Sequence, residues 1–363
     1  MIHLAYFIVG FSLLQMFIAL VNFVFKQRFT NTKCDDNDLV SVLIPARNEE
    51  KNIPVILDDL LKQDYQNLEI IVFDDQSTDA TAQIIEKWVT QDNRIQFIHS
   101  DGLPSGWLGK NYACYSLSKA AKGKYLLFID ADVRIYKDII TRSLHHLTTY
   151  RLGLLSIFPK QIMETLGEKI TVPLMNYILL TLLPLVLVRK SGFSSLAAAN
   201  GQFMLFGAET YKKQSPHEKM KNKKVEDIEI SRFYKTSKIK IACITGNENI
   251  CCRMYPNFSD AINGFSKNIN AFFGNSFVFA FAFWLITTFG FIVVWYFLSS
   301  TLLITYLLSI VFIRVLVSLT SNQNIIENIF LLIPQQLTLV YILLRAFLNQ
   351  RKKSFVWKER NIS

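Results

Sequence analysis

Asp130 and Asp132 follow directly on an apolar run, Tyr125-Leu126-Leu127-Phe128-Ile129, with only Ala131 between them. Two carboxylates spaced i, i+2 beyond a strand do not both stay ionised without a counter-charge. A divalent cation supplies one. Oxygen ligands suit Mg²⁺ or Mn²⁺, which keep further positions for water and a substrate phosphate. The plain alternative is that Asp132 caps the next helix and Asp130 is a solvated loop acid. Two more acids, Asp74 and Asp75, end a second apolar run, Ile70-Ile71-Val72-Phe73. An acid there can accept a hydrogen bond from the N–H of a nucleobase, whereas Asp79 reads as a turn and helix-cap residue. Lys110, in WLGKNYAC, stands near a helix start, where a cation and backbone N–H groups favour phosphate. Its alternative is a surface lysine. Glu226-Asp227 opens a helical stretch, where a carboxylate can take a proton or simply answer the helix dipole.

These side chains need elements to hold them together. Leu39 to Pro45 reads as a buried strand stopped by the proline, and Ile53, Ile56, Leu57, Leu60 and Leu61 recur at helical spacing. The plan repeats: the strand ending at Asp74 leads into a helix that Ser77 or Thr78 could cap, Arg94 to Ser100 gives a third strand, and a small-residue helix runs to Gly123 ahead of the fourth. Alternating strands and helices predict an α/β domain with a parallel sheet covered on both faces. Ligands of open α/β sheets bind beyond the carboxyl ends of the strands. Three such ends carry Arg47-Asn48-Glu49, Asp74-Asp75 and Asp130/Asp132, and that edge is the expected site. Farther on, Gly201 and Gly207 flank a segment where backbone can approach closely. Gln202, between these glycines, is a weaker candidate. In the helix starting near Glu226, Ile228 and Phe233 are expected to face the core.

Composition places the domain at a membrane. Of 363 residues, 51% are hydrophobic and 29 are Phe; the net charge is +10, which suits anionic partners such as lipid headgroups or a phosphate-bearing substrate. Residues 2 to 25 carry no Lys, Arg, Asp or Glu, enough to span a bilayer, and the basic residues Lys26 and Arg28 follow the run rather than precede it. An anchor is therefore expected rather than a cleaved signal. Residues 268 to 313 are also uncharged, long enough for two helices with a bend at Ser299-Ser300-Thr301. A weaker apolar stretch, Ile329 to Leu344, is interrupted by Pro334-Gln335-Gln336, and the tail Arg351-Lys352-Lys353 is basic. The positive-inside rule puts the central domain and the tail in the cytosol, with one C-terminal segment, that containing Pro334, not fully crossing. Arg314 is expected to snorkel or to face protein. The apolar segment 175–190 is read as an interfacial helix, since a crossing there would separate Asp132 from Asp227; a buried core helix is the alternative. The five cysteines, Cys34, Cys114, Cys243, Cys251 and Cys252, contain no C-x-x-C pair and are expected to be reduced.

In order, IPARNEE, DDQSTDAT, WLGKNYAC, FIDADVR and VEDIEIS resemble the motifs of family 2 glycosyltransferases, the inverting enzymes of GT-A (Rossmann-like) fold. GKNYAC, the Arg253-Met254-Tyr255 triplet, NGFSKN and VWKER resemble a narrower, membrane-bound set, the carotenoid (4,4'-diaponeurosporenoate) and hopanoid-associated glycosyltransferases. The resemblance implies a nucleotide pocket lined by Pro45, Ala46, Asn48 and Glu49, with Asp75, backed by Asp74, at the base, and Lys110 along the nucleotide. It implies that Asp132 ligates the metal beside Asp130, and that Asp227 of the Glu226-Asp227 pair is the catalytic base. The expected organisation is an anchor at 1–27, a GT-A domain at 38–265, membrane helices across 270–348 and a basic cytosolic tail at 349–363. The expected function is multi-pass and membrane-bound: transfer of one sugar from a nucleotide sugar, a UDP-sugar by family habit, to a carotenoid, hopanoid or polyprenyl phosphate. No nucleic acid is expected as a partner. The processive members' Q-x-x-R-W motif is missing, which disfavours polymer synthesis, and retention of Asp130, Asp132 and Asp227 disfavours a non-catalytic scaffold.

Overall fold

The structure, a computed structural model, describes residues 1–26 and 37–352 and the backbone of 356–357 and 360–361. Arg28, Cys34, Lys353 and the side chains of VWKER lie outside the described residues. Two compact units share the chain: Gln27–Lys160 with Leu187–Arg253, and Met1–Lys26 with Gln161–Val186 and Met254–Ser363.

The first unit is built on a seven-stranded sheet. Strands β1 (Val40–Ala46), β2 (Leu68–Asp74), β3 (Ile95–His99) and β4 (Tyr125–Ile129) lie parallel in the order β3-β2-β1-β4. Beyond β4 the sheet changes character. Phe203–Gly207 runs antiparallel to β4 and to Leu154–Phe158, and Ile241–Thr245 completes the edge parallel to the latter. The sheet is thus mixed rather than all parallel as the repeating strand–helix plan suggested. The reversed strand is a single run inserted between two halves of the sheet, and period alone does not report its direction. β1 and β2 are buried almost throughout, as expected for strands covered on both faces. Each fully buried Ile or Leu side chain there contributes about 1.5–3 kcal/mol of transfer free energy.

Helix Ile53–Leu61 buries Ile53, Ile56, Leu57 and Leu60 on one face, with Leu61 only half-buried. Helix Thr81–Gln91 begins after Ala80, not at Ser77 or Thr78, and no side chain caps it. Asp79 closes the turn ahead of it, accepting from the Thr81 N–H at 3.0 Å and the Thr81 hydroxyl at 2.5 Å. Helix Glu226–Thr236 turns a different face inward from the one expected: Ile230 and Tyr234 are fully buried, and Ile228 and Phe233 only half-buried.

The second unit is a helical bundle. Among the described residues, four helices are long and apolar enough to cross a membrane: Ile2–Val24, Phe277–Phe297, Ser300–Ser321 and Leu332–Lys352. The chain breaks between the second and third at Leu298-Ser299, and the Ser299 side chain accepts from the Leu302 N–H to start the next helix. Ile2–Val24 and Ser300–Ser321 run parallel, since Ser12 meets Ser309 at 2.5 Å and Lys26 reaches Asn322 at 3.5 Å. Phe277–Phe297 is antiparallel to both, with Gly290 against Ile8 and Tyr306. The last helix does not span the bundle. Its Gln336 carbonyl accepts from the Trp284 indole at 3.0 Å and its side-chain oxygen from Thr288 at 3.0 Å, while Phe347 packs on Phe277 with ring centroids 5.3 Å apart. It therefore starts mid-way along Phe277–Phe297 and runs to the end where that helix begins. The short helix Ile325–Phe330 folds back to reach this start, with Asn328 donating to Ser318 and Gln335 to Asn328.

The segment 175–190 is not one helix. Pro173–Leu182 ends before Pro184, and a separate helix runs Leu185–Lys190. Pro173–Leu182 is buried on nearly every side, with Thr181 accepting from Gln15, and the Leu180 and Leu183 carbonyls accepting from Asn22 at 2.9 Å. This first part is a bundle-core helix rather than the interfacial one expected; a continuous apolar run alone does not tell the two apart. NGFSKN lies in helix Phe258–Asn268, where a side chain at Gly264 would collide with Tyr255, so part of the RMY triplet and this motif pack together.

Candidate functional site

The carboxyl ends of β1, β2 and β4 do form the polar edge predicted for them. Asn48, just beyond β1, takes a left-handed backbone (φ 52°). Its N–H donates to Ser77 Oγ at 2.9 Å, and its side-chain oxygen accepts from the Thr78 N–H at 2.9 Å. The Glu49 N–H donates to Thr81 Oγ1 at 2.8 Å, and the Glu49 carboxylate accepts from Asn52 at 2.6 Å. Pro45 and Ala46 end β1 itself, where the Ala46 carbonyl accepts from the Asp75 N–H at 2.8 Å. The Arg47 guanidinium donates to the Asp75 and Gln76 carbonyls, at 2.5 and 3.1 Å. The two loops are thus stitched into one wall. Asp74 is fully buried, accepts from the Ser77 N–H, and lies 3.5 Å from His99 Nδ1; Asp75 beside it is also buried.

The second wall brings together residues about a hundred positions apart. Lys110 Nζ lies 2.8 Å from Asp130 and 3.7 Å from Glu226. Burial opposes the Lys110 charge, but Asp130 and Glu226 outweigh it and hold the ammonium pKa above its ordinary value. Asp227 sits in the first turn of its helix. Its Oδ2 accepts from the Gly201 N–H at 2.9 Å and its Oδ1 from its neighbour's N–H, Ile228, at 2.8 Å. Burial pushes the Asp227 pKa up to about 7, Glu226 beside it adds to the rise, and the two backbone N–H groups with Lys110 restrain it. Gly201 sits in close quarters here. A Cβ would lie 3.2 Å from Lys110 Nζ, 3.4 Å from Glu226 Oε1 and 3.6 Å from Asp227 Oδ2.

Asp130 and Asp132 are half-buried at the end of β4. The Asp130 N–H donates to the Gln202 carbonyl at 3.1 Å, while the Gln202 amide donates to Cys252 Sγ at 2.9 Å. Gln202 is itself buried, so its part is to tie the strand Phe203–Gly207 to β4 and to Cys252. Burial pushes the Cys252 thiol up, and the Asp132 and Asp130 charges add to it. Among the described residues no group of three or more His, Cys, Asp or Glu forms a ready-made metal cage. A Mg²⁺-type site does not need one: one or two carboxylates suffice when waters and substrate phosphates fill the rest.

Asn111 was not singled out by its sequence context, yet it holds a loop next to the site. Its amide donates to the carbonyls of Met220, Lys221 and Lys223 at 2.7, 3.2 and 3.0 Å, which pins the loop leading to Glu226. Lys235, at the far end of the same helix, donates to four carbonyls between Leu187 and Leu196. Neither residue bears a motif-like signal; only their distant carbonyl partners reveal the role.

Residues 41–179, which hold β1 to β4 with Lys110, Asp130 and Asp132, match the family described as Glycosyl transferase family 2. This is a family 2 glycosyltransferase domain. The chain is 28% identical over 240 residues to a 4,4'-diaponeurosporenoate glycosyltransferase of Staphylococcus haemolyticus, covering 63% of this chain and 60% of that protein. It is 34% identical over 104 residues to the glycosyltransferase GlyG of Streptococcus pneumoniae, covering 29% of this chain and 33% of that one. The chain thus spans three fifths or less of the length of these two relatives. Its fold is shared with the mannosyltransferase PcManGT from Pyrobaculum calidifontis, solved with GDP-Man and Mn²⁺, at a TM-score of 0.56 and 14% identity over 96% of this chain and 99% of that one. The glycosyltransferase domain is therefore of GT-A type, with apolar helices on either side of it in the chain.

Proposed function

We propose that the protein transfers a single sugar, with inversion, from a nucleotide sugar to a membrane lipid. The observation that carries this is the convergence of Lys110, Asp130, Glu226 and Asp227 around Gly201. Inversion requires one carboxylate to take the acceptor's proton as the sugar–diphosphate bond breaks. Asp227 suits that part: two N–H groups fix its orientation, and a pKa near 7 lets it accept a proton at physiological pH. The wall of Pro45, Ala46, Asn48, Glu49, Asp74 and Asp75 would receive the nucleoside, and Lys110 the phosphates. A divalent cation, Mg²⁺ or Mn²⁺, held by Asp132 and Asp130 would supply positive charge against the departing diphosphate. The lipid acceptor is supported by the apolar helices of the same chain, and a carotenoid-type acceptor by the names of the Staphylococcus relatives. Membranes containing the protein, given labelled nucleotide sugars with and without EDTA, test the reading. Metal-sensitive labelling of an extracted lipid supports it; no turnover with any donor or lipid extract defeats it.

The pH dependence is a sharper check. Proton acceptance needs ionised Asp227, and its raised pKa means that the ionised fraction grows as pH rises through about 7. We expect kcat/KM to climb over that interval. Glu226→Gln removes the adjacent negative charge, so the midpoint should move to lower pH. A profile that is flat from pH 6 to 8, or a midpoint that moves upward in Glu226→Gln, would contradict the assignment.

We also propose that the glycosyltransferase domain lies in the cytosol with the basic tail on the same side. In the bundle, the last helix starts half-way along Phe277–Phe297 and ends level with Phe277, the end shared with Lys26 and Asn322. That geometry supports three crossings and one re-entrant pair. Cysteine labelling of a site placed after Arg351 should require permeabilised cells; labelling of intact cells would mean a fourth full crossing.

A further inference from the structure

We infer that the helical bundle contains a binding site for the oxyanion head of a lipid, centred on Arg314. The guanidinium is 3% exposed and lies inside an apolar helix, Ser300–Ser321. Its Nη1 donates to Gln335 at 2.8 Å, and its plane stands over the Tyr177 ring, 3.9 Å from the centroid. Its Nη2, equally buried, has no hydrogen-bond acceptor among the described residues, and no carboxylate there pairs with Arg314. Glu327, the acid of the neighbouring short helix, is already taken by Lys169 at 2.7 Å. An isolated charge within an apolar bundle is costly unless a counter-ion and hydrogen bonds satisfy it.

Arg314 lines a cavity with Ser12, Gln15, Tyr177, Thr287 and Gln336. The cavity is small, about 20 Å³ of water-accessible space, which suits a compact head group rather than a large ligand. Its wall also includes Leu332, half-buried, which opens the 21-residue helix Leu332–Lys352. A buried cation with an unfilled donor, and hydroxyl and amide groups around a small cavity, make a site for a single oxyanion. In an apolar bundle the carrier of such a group is an amphiphile whose tail lies between the helices. This site is separate from the sugar-transfer chemistry and does not rest on it.

The test uses the full chain in a neutral detergent and three twelve-carbon probes below their micellar concentrations: lauric acid, dodecyl phosphate and dodecanol. Saturation by an anionic probe should raise the midpoint of thermal unfolding by about 5 °C, with dodecanol giving no rise. A rise with lauric acid alone identifies a carboxylate head, and one with dodecyl phosphate alone a phosphate head. Arg314→Met replaces the charge with an apolar chain of similar length, a change that buried ion sites often tolerate, and should abolish the rise. An equal rise with dodecanol, no rise with either anion, or an undiminished rise in Arg314→Met would overturn the inference. Should Arg314→Met fail to fold, the three-probe comparison on the wild-type protein decides alone.

Discussion

Asp227→Asn should lower sugar transfer by about 100- to 10,000-fold while leaving donor binding in place, the usual cost of losing a general base. The substitution keeps the size of the side chain. It keeps one oxygen to accept from the Gly201 or Ile228 N–H, so the helix start at Glu226 should hold. What it removes is the capacity to take a proton. Lys110, Asp130 and the loops around Asn48 and Asp75 are untouched, so binding of a nucleotide diphosphate, followed by calorimetry or fluorescence, should change little. The size of the loss also reports on the acceptor. A neutral hydroxyl needs a base; an ionised carboxylate or phosphate needs one far less. A small effect would thus indicate an ionised acceptor, or Glu226 as the true base. Glu226→Gln combined with Asp227→Asn separates these: if transfer persists in the double variant, no base acts at this helix and the assignment fails.

Asp132→Asn should lower transfer by about 100-fold or more, the scale of losing a preorganised stabiliser of developing charge. Its distinguishing feature is the step affected. Asp132 stands at the end of β4 near Cys252, whereas Asp227 stands at Gly201. Its loss should therefore weaken binding of a nucleotide diphosphate in the presence of Mn²⁺, which Asp227→Asn leaves unchanged. Expression and membrane insertion should be normal, since Asp132 is half-buried and outside the sheet core. Near-normal turnover by a well-folded Asp132→Asn protein would exclude a metal role for this carboxylate. The pair of variants together distinguishes a donor defect from a proton-transfer defect, which neither does alone.

Much of this arrangement is legible in the residues. A strand covered on both faces must be continuously apolar, so β1, β2 and β4 announce themselves. Polar groups that follow such runs must lie at the strand ends, which puts Asn48, Asp75 and Asp130 on one edge. Ile2–Val24, Phe277–Phe297 and the first part of Ser300–Ser321 follow from length and missing charge, as does the break near Ser299. The left-handed backbone at Asn48 fits a residue that tolerates it, but nothing local predicts its bonds to Ser77 and Thr78.

Other features depend on partners remote in the chain, and only the tertiary structure decides them. The direction of Phe203–Gly207 is set by its neighbours in the sheet, not by its own pattern, so the sheet is mixed. Gly201, Lys110 and Glu226 meet across more than a hundred residues, and the close quarters at Gly201 come from that meeting. The Asp227 pKa is likewise a property of burial and of Glu226 together, and a first-turn acid looks the same in sequence whether buried or solvated. The apolar stretch after residue 173 reads equally as a surface or a core helix, because hydrophobicity records the wish to leave water and not the neighbour that receives the side chain. Arg314 shows the same limit from the other side. Its sequence says only that a charge sits in an apolar helix; the cavity, the Tyr177 face and the nearby start of Leu332–Lys352 exist only once the helices have packed.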